Sequence, residues 1–333
     1  MDTTFVVMIA VVFLALAFDF INGFHDTANA IATSVSTRAL KPRVAIIMAA
    51  VMNFVGALSF TGVAKTIGGS VADPAKLAHG EQIVIAALLG AIIWNLVTWW
   101  FGIPSSSSHA LIGGLAGAVI AADGFGAINA GGFTNIIKGL IFSPFIAFAI
   151  GFTLMWILKL IFANGNPHQL NKGFRTGQII TAAFQSYTHG TNDAQKAMGI
   201  ITFALVAAGI QDHLEVPLWV KLSAATAMAL GTSVGGWKII KTMGTKIFKI
   251  EPINGFAADL GSAAVIFTAT LIHFPVSTTH VITSSLLGVG SAKRFANVKW
   301  SMAGRIVISW IITIPIAMGL SAVMYKIIEW IFL

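Results

Sequence analysis

Asn22-Gly23-Phe24-His25-Asp26-Thr27-Ala28-Asn29-Ala30 and His189-Gly190-Thr191-Asn192-Asp193-Ala194-Gln195-Lys196-Ala197 carry one message twice. Each sets an aspartate three residues after a glycine, inside an otherwise apolar segment, with amide and hydroxyl side chains around it. An ionisable side chain at the centre of a bilayer costs about 2.5–3.5 kcal/mol on insertion scales, so it marks a functional site before anything else. Two of them in matching contexts read as one site built twice.

The surroundings fix the class of protein. Of 333 residues, 56% are hydrophobic and 10% charged, and the mean hydropathy is +0.86. Soluble domains carry about 25% charged residues, whereas here apolar runs of about 20 residues, the length that spans a bilayer, recur from end to end. The expected fold is all-α: a polytopic membrane protein with about ten to twelve transmembrane segments. The net charge of +8 then belongs to loops beside the lipid bilayer and not to nucleic-acid binding. The absence of cysteine excludes thiolate chemistry and disulfides. Ala15-Leu16-Ala17 resembles a signal-peptide cleavage site, but the residues before it hold Asp2 and no Lys or Arg, so the segment reads as a first membrane helix.

A second set of repeats extends the first. Gly90, Pro104, His109, Gly117 and Pro144 each return 171 positions later as Gly261, Pro275, His280, Gly288 and Pro315. Within that frame Pro104-Ser105-Ser106-Ser107-Ser108-His109 faces Pro275-Val276-Ser277-Thr278-Thr279-His280, while the aspartates are offset by 167. The chain therefore divides into a first repeat at 1–160, a short cytoplasmic connection at 161–175 and a second repeat at 176–333. Spans are expected near 3–37, 43–63, 82–101, 104–122, 133–160, 176–210, 217–236, 253–274, 275–291 and 302–330. Five crossings per half make the repeats inverted, and loop charge agrees. Arg38, Lys41 and Arg43 correspond to a loop with Asp212 and Glu215, and the loop with Asp123 corresponds to one with Lys293, Arg294, Lys299 and Arg305. Positive charge marks the cytoplasmic side, which places both termini outside. A helix over 3–37 would be about 52 Å long, too long for a core of about 30 Å, so a break is expected at Asn22-Gly23. The segments after Pro104 and Pro275 have almost no preceding loop and read as spans or re-entrant hairpins.

These elements assign chemistry. Ser106, Ser107 and Ser108, with Ser277, Thr278 and Thr279, offer hydroxyl donors just after a proline, a residue favoured at the first helical position. A helix N-terminus carries unpaired donors and partial positive charge, which suits a tetrahedral oxyanion. Thr27 and Thr191 add hydroxyls beside the aspartates. Asp26 and Asp193 would repel an anion. Their expected role is to hold a coupling ion, H+ or Na+, with Asn22, Asn29 and Asn192 as further ligands. Inverted repeats with their site at the interface are an architecture of secondary transporters. His25, His109 and His280 either line the site or bond backbone across helices. Lys196, three residues after Asp193, is a candidate ion-pair partner that would leave Asp26 the freer acid. Gly113 and Gly117 read as a close-packing face. Gly231-Thr232-Ser233-Val234-Gly235 matches a hydrolase pattern by letters only, since that motif needs a sheet. No cofactor, no catalytic residue and no metal beyond Na+ at Asp26 and Asp193 are expected, and the chain reads as a non-enzyme.

On these residues the chain resembles the inorganic phosphate transporter (Pit-type) family. The duplicated signature is most similar to that of the bacterial low-affinity phosphate carriers, and the similarity runs over nearly the whole chain. The resemblance implies inorganic phosphate as the transported partner, alone or as a metal-phosphate complex, coupled to protons or, in other members, to sodium. It also implies that Asp26, Asn29, Asp193 and the hydroxyl runs contact phosphate or its coupling ion. The chain lacks the long central loop of larger members. Sulfate transport on the same fold and an anion channel stay open as alternatives. Coupling stoichiometry and assembly into a homo-oligomer also stay open. The expected location is the cell membrane.

Overall fold

A computed structural model describes residues 3–77 and 79–332. Two series of six helices follow one another. The first is α1 (Thr3–Ser36), α2 (Pro42–Ser59), α3 (Gly62–Ser70), α4 (Gly80–Phe101), α5 (Ser107–Asp123) and α6 (Ala130–Ile161). The second is α7 (Pro167–Ala207), α8 (Leu218–Val234), α9 (Trp237–Thr245), α10 (Pro252–Leu271), α11 (Thr278–Arg294) and α12 (Trp300–Phe332). The order of lengths recurs: one very long helix, one of 18 or 17 residues, a 9-residue helix, one of 22 or 20, one of 17 and one above 30. The described residues contain no strand, only an isolated bridge between Ala72 and Ile128.

Local chemistry sets the ends. Pro42 and Pro167 occupy first-turn positions, where no backbone donor is missed. Asn166 caps α7 by accepting from the His168 N–H at 3.0 Å, and α4 stops at Gly102, in the left-handed conformation at φ 63°. The expected connection at 161–175 is narrower in the structure, because α7 already begins at Pro167. The spans expected at 43–63 and 217–236 are each shorter than predicted and are followed by separate short helices, α3 and α9.

Among the described residues six helices, α1, α2, α4, α6, α10 and α12, are long and apolar enough to cross a membrane. Polarity is inverted relative to a soluble protein: large apolar side chains such as Phe142, Phe145, Ile311 and Trp330 are exposed, while Asp26, Asp193 and Lys196 are buried. That is the distribution a bilayer demands of a multi-pass protein.

The halves interlock. The long helix of each half packs against the second helix of the other, α1 on α8 and α7 on α2. Likewise α5 packs on α12 and α11 on α6. Glycines let these helices approach. A Cβ on Gly190 would meet the Asn53 backbone, with its Cα at 2.7 Å, and one on Gly23 would meet Met228 O and, at 2.8 Å, Thr232 N. Gly113 and Gly117 face the α12 backbone at Ile314 and Met318. We expect Gly190→Ala to lower stability by about 1–3 kcal/mol through overpacking. Gly319→Ala, where a Cβ meets nothing within 4 Å, should be neutral. Thermal melting of the two variants in detergent checks this.

The expected break at Asn22-Gly23 is absent: α1 is one continuous helix of 34 residues. Gly23 is there for its missing side chain, against a helix that arrives some 200 residues later in sequence. The length that called for a break is absorbed by a helix longer than the membrane core is thick.

Candidate functional site

Helices α1 and α7 meet at the centre of the bundle and bring Asp26 and Asp193 together with the N-termini of α5 and α11. Extended residues precede both short helices, so Pro104 and Pro275 lie ahead of them and not at their first positions. The N-caps are Ser106 and Ser277, whose hydroxyls accept from the His109 N–H at 3.1 Å and the His280 N–H at 3.2 Å. The next residues face the carboxylates. Ser107 Oγ donates to Asp26 Oδ2 at 2.6 Å, and its counterpart Thr278 Oγ1 donates to Asp193 Oδ2 at 3.1 Å. Thr279 Oγ1 donates to Asp26 Oδ1 at 3.0 Å and accepts from Asn29 Nδ2 at 3.0 Å. Ser108 turns away and donates to the Val276 carbonyl.

Each carboxylate is compensated differently. Asp193 has Lys196 Nζ at 2.7 Å and His189 Nε2 at 3.4 Å. Asp26 has His25 Nδ1 at 2.7 Å, and His25 Nε2 reaches Thr98 Oγ1 at 3.0 Å. Lys196 Nζ also donates to Ser107 Oγ at 3.2 Å, which ties the two halves of the site. Asn22 joins them again. With its amide nitrogen turned to the acceptors, it donates to Ser107 Oγ at 3.0 Å, Asp26 Oδ2 at 2.8 Å and Asp193 Oδ2 at 3.3 Å. Only in that orientation does Asn22 itself donate to both carboxylates. Asp26 is therefore not the freer acid that the Lys196–Asp193 pairing pointed to. It is held from four side chains.

Other candidates lie one layer out. Thr27 accepts from Asn53 Nδ2 at 2.9 Å and meets Thr232 at 3.1 Å, and Asn53 Oδ1 is 2.9 Å from His189 Nδ1. Thr191 donates to the Thr188 carbonyl and meets Thr270. Asn192 does not face the carboxylates: it binds Thr270 Oγ1, the Phe274 carbonyl and the Val276 N–H, pinning the extended entry to α11. The rings of His109 and His280 lie 4.3 Å apart, and His280 stacks on Trp310 at 3.9 Å. His109 Nδ1 is 2.8 Å from Ser106 Oγ.

Hydroxyls and carboxylates, assigned above to separate anion and cation subsites, are thus hydrogen-bonded directly to one another. Of the side chains gathered around Asp26 and Asp193, two oxygens have no partner among the described residues, Asp193 Oδ1 and Asn29 Oδ1, and a hard cation prefers such ligands. Among the described residues no group of three or more His, Cys, Asp or Glu could hold a metal ion. The sequence reading missed Asn53, Thr98, Thr232, His189 and the buried acid Asp259, to which Thr33 donates at 2.7 Å. For Asp259 a signal was present, since it too is ionisable within an apolar span.

A multi-pass helical bundle that encloses a fully buried, charge-compensated polar site between two like sets of helix ends belongs to the class of membrane transport proteins. Comparison narrows the class. The model of the phosphate transporter family matches residues 22–321, and the chain belongs to that family. It is 62% identical over all 333 residues to a probable low-affinity inorganic phosphate transporter of Bacillus subtilis (strain 168), covering 100% of both chains. It is 46% identical to a protein of the same description from Rhizobium meliloti (strain 1021), over 98% of each. A solved structure described as the sodium-dependent phosphate transporter superposes with a TM-score of 0.86 at 25% identity, covering 98% of this chain and 100% of that one.

Proposed function

We propose that this chain is a secondary carrier that moves inorganic phosphate across the cell membrane together with a cation, by alternating access. One observation carries the reading: two compensated carboxylates bridged by Asn22 and ringed by Ser107, Thr278 and Thr279 from two helix N-termini. In this reading those hydroxyls and Lys196 turn to the phosphate oxygens. Asp26 and Asp193, with Asn29, hold the coupling ion. The relatives described as phosphate transporters support the substrate.

Alternating access fits a site whose members are all buried, because a solute reaches them only when helices part. The recurring order of helix lengths and the exchanged pairings of α1 with α8 and α7 with α2 support two inverted repeats. Basic loops around Arg38, Lys41 and Arg43 and around Lys293, Arg294 and Lys299 then face the cytoplasm, with both termini outside.

The test is uptake of labelled phosphate into vesicles holding the purified protein, under an imposed sodium gradient and then an imposed proton gradient. Saturable, gradient-driven accumulation that sulfate fails to displace supports the reading. Non-saturating flux that never exceeds the external concentration would make the chain a channel, and preferential uptake of sulfate would reassign the substrate.

A further inference from the structure

Asp19 lies on α1 three residues before Asn22 and seven before Asp26, on the face those residues share. It is fully enclosed, and neither carboxylate oxygen has a hydrogen-bond partner among the described residues. The contrast with its neighbours is sharp. Asp26 receives donors from Asn22, His25, Ser107 and Thr279, and Asp193 from Asn22, Lys196 and Thr278. Those two can remain charged in the site as it stands. No hydrogen bond among the described residues compensates a negative charge on Asp19, whereas a proton would remove that charge.

Its surroundings say the same. Asn22 follows one turn along α1, and its amide nitrogen, turned as above, is committed to the other two carboxylates and Ser107. What remains for Asp19 is the Asn22 carbonyl oxygen, an acceptor that receives a protonated carboxyl and repels a charged one. The charged groups facing Asp19 both come from α7: Asp193 and Lys196. Lys196 is already spent on Asp193 at 2.7 Å. The other helices packed on α1, namely α2, α4, α8, α9, α10 and α11, add no charged group to that environment among the described residues.

The duplication supplies an internal control. At the position 167 residues on, the second half has Ser186, whose hydroxyl donates to the Ala182 carbonyl of its own helix at 2.9 Å. The shared fold therefore needs no acid there. Asp259, which also lacks an acidic counterpart, differs in accepting from Thr33, seven residues beyond Asp26 in the opposite direction along α1.

We propose that a coupling proton is taken up and released by Asp19 and not by the Asp26–Asp193 pair to which the reading above gives the coupling ion, an inference that rests on that reading's cation-coupled phosphate transport. A proton from water on the entry side converts the Asp19 carboxylate to the acid, whose O–H donates to Asn22. One negative charge is then gone from beside Asn22, and an oxyanion settles against Ser107, Thr278 and Lys196. When the site opens to the other side, the proton passes to water and the carboxylate returns. Its repulsion drives the anion out. One proton travels with each anion, and no bond to phosphorus forms or breaks.

The experiment uses Asp19→Asn in proteoliposomes, with labelled phosphate and an internal pH-sensitive dye. Exchange of phosphate at equal pH should stay near the wild-type rate. Accumulation driven by a proton gradient should be lost, and internal acidification should vanish with it. The proposal is overturned if Asp19→Asn still accumulates phosphate and acidifies the lumen as wild type does. It is equally overturned if wild-type uptake acidifies nothing, or if exchange is lost in both Asp19→Asn and Asp19→Ser, which would make the residue structural. Absence of phosphate exchange in the wild-type protein strikes the carrier reading itself.

Discussion

Lys196→Met is expected to abolish phosphate uptake and to lower stability by about 3–5 kcal/mol, the usual effect of stripping a buried charge of its partner. Asp193 is 0% and Lys196 1% exposed, and they are 2.7 Å apart. Without the ammonium, Asp193 keeps only neutral donors from Thr278, at 3.1 Å, and Asn22, at 3.3 Å, together with His189 at 3.4 Å. Methionine fills most of the volume, so the loss is electrostatic and not a cavity. The check is a double variant. Lys196→Met with Asp193→Asn removes both charges and should recover most of the melting temperature in detergent, while transport stays lost. If Lys196→Met alone melts like wild type, the pair is not the internal compensation described here.

That pair was legible in the sequence, because a lysine three residues after an aspartate on one helix has few other places to go. So were the hydroxyl strings: their matched register after Pro104 and Pro275 placed them at two helix starts, and the structure puts Ser107 and Thr278 on the two carboxylates. The continuity of α1 was not legible. Asn22-Gly23 is a breaker by local rules, and only the approach of α8 explains the glycine. Asn192 illustrates a second limit. It matches His25 in the repeat but serves the backbone before α11, a contact across 84 residues. Asn53, Thr98 and Thr232 lie in apolar helices outside both duplicated signatures. The pattern that marked the aspartates therefore passed over them. Asp19 and Asp259 were in plain sight under the rule that singled out Asp26, but attention to the duplicated positions passed over the acids that were not duplicated.

The asymmetry between duplicated and single acids sets the second large expectation. Asp26→Asn should abolish uptake and exchange alike, by at least about 100-fold, with folded protein still obtained. The amide has one acceptor oxygen where the carboxylate has two, so Ser107, Thr279, His25 and Asn22 cannot all be served, and charge-assisted bonds contribute about 1.5–3 kcal/mol each. Loss of two such bonds exceeds the roughly 2.7 kcal/mol that corresponds to 100-fold. The hydroxyls released from Asp26 would turn to other acceptors, and the site would bind its anion in a geometry from which it does not move on. Asp19, with no donors to lose, predicts the opposite split, with exchange kept and proton-driven accumulation lost. Measured side by side, the two variants separate the group that holds the site together from the group that couples it. Equal exchange rates in Asp26→Asn and wild type would place Asp26 outside the binding machinery, whatever its hydrogen bonds in this structure.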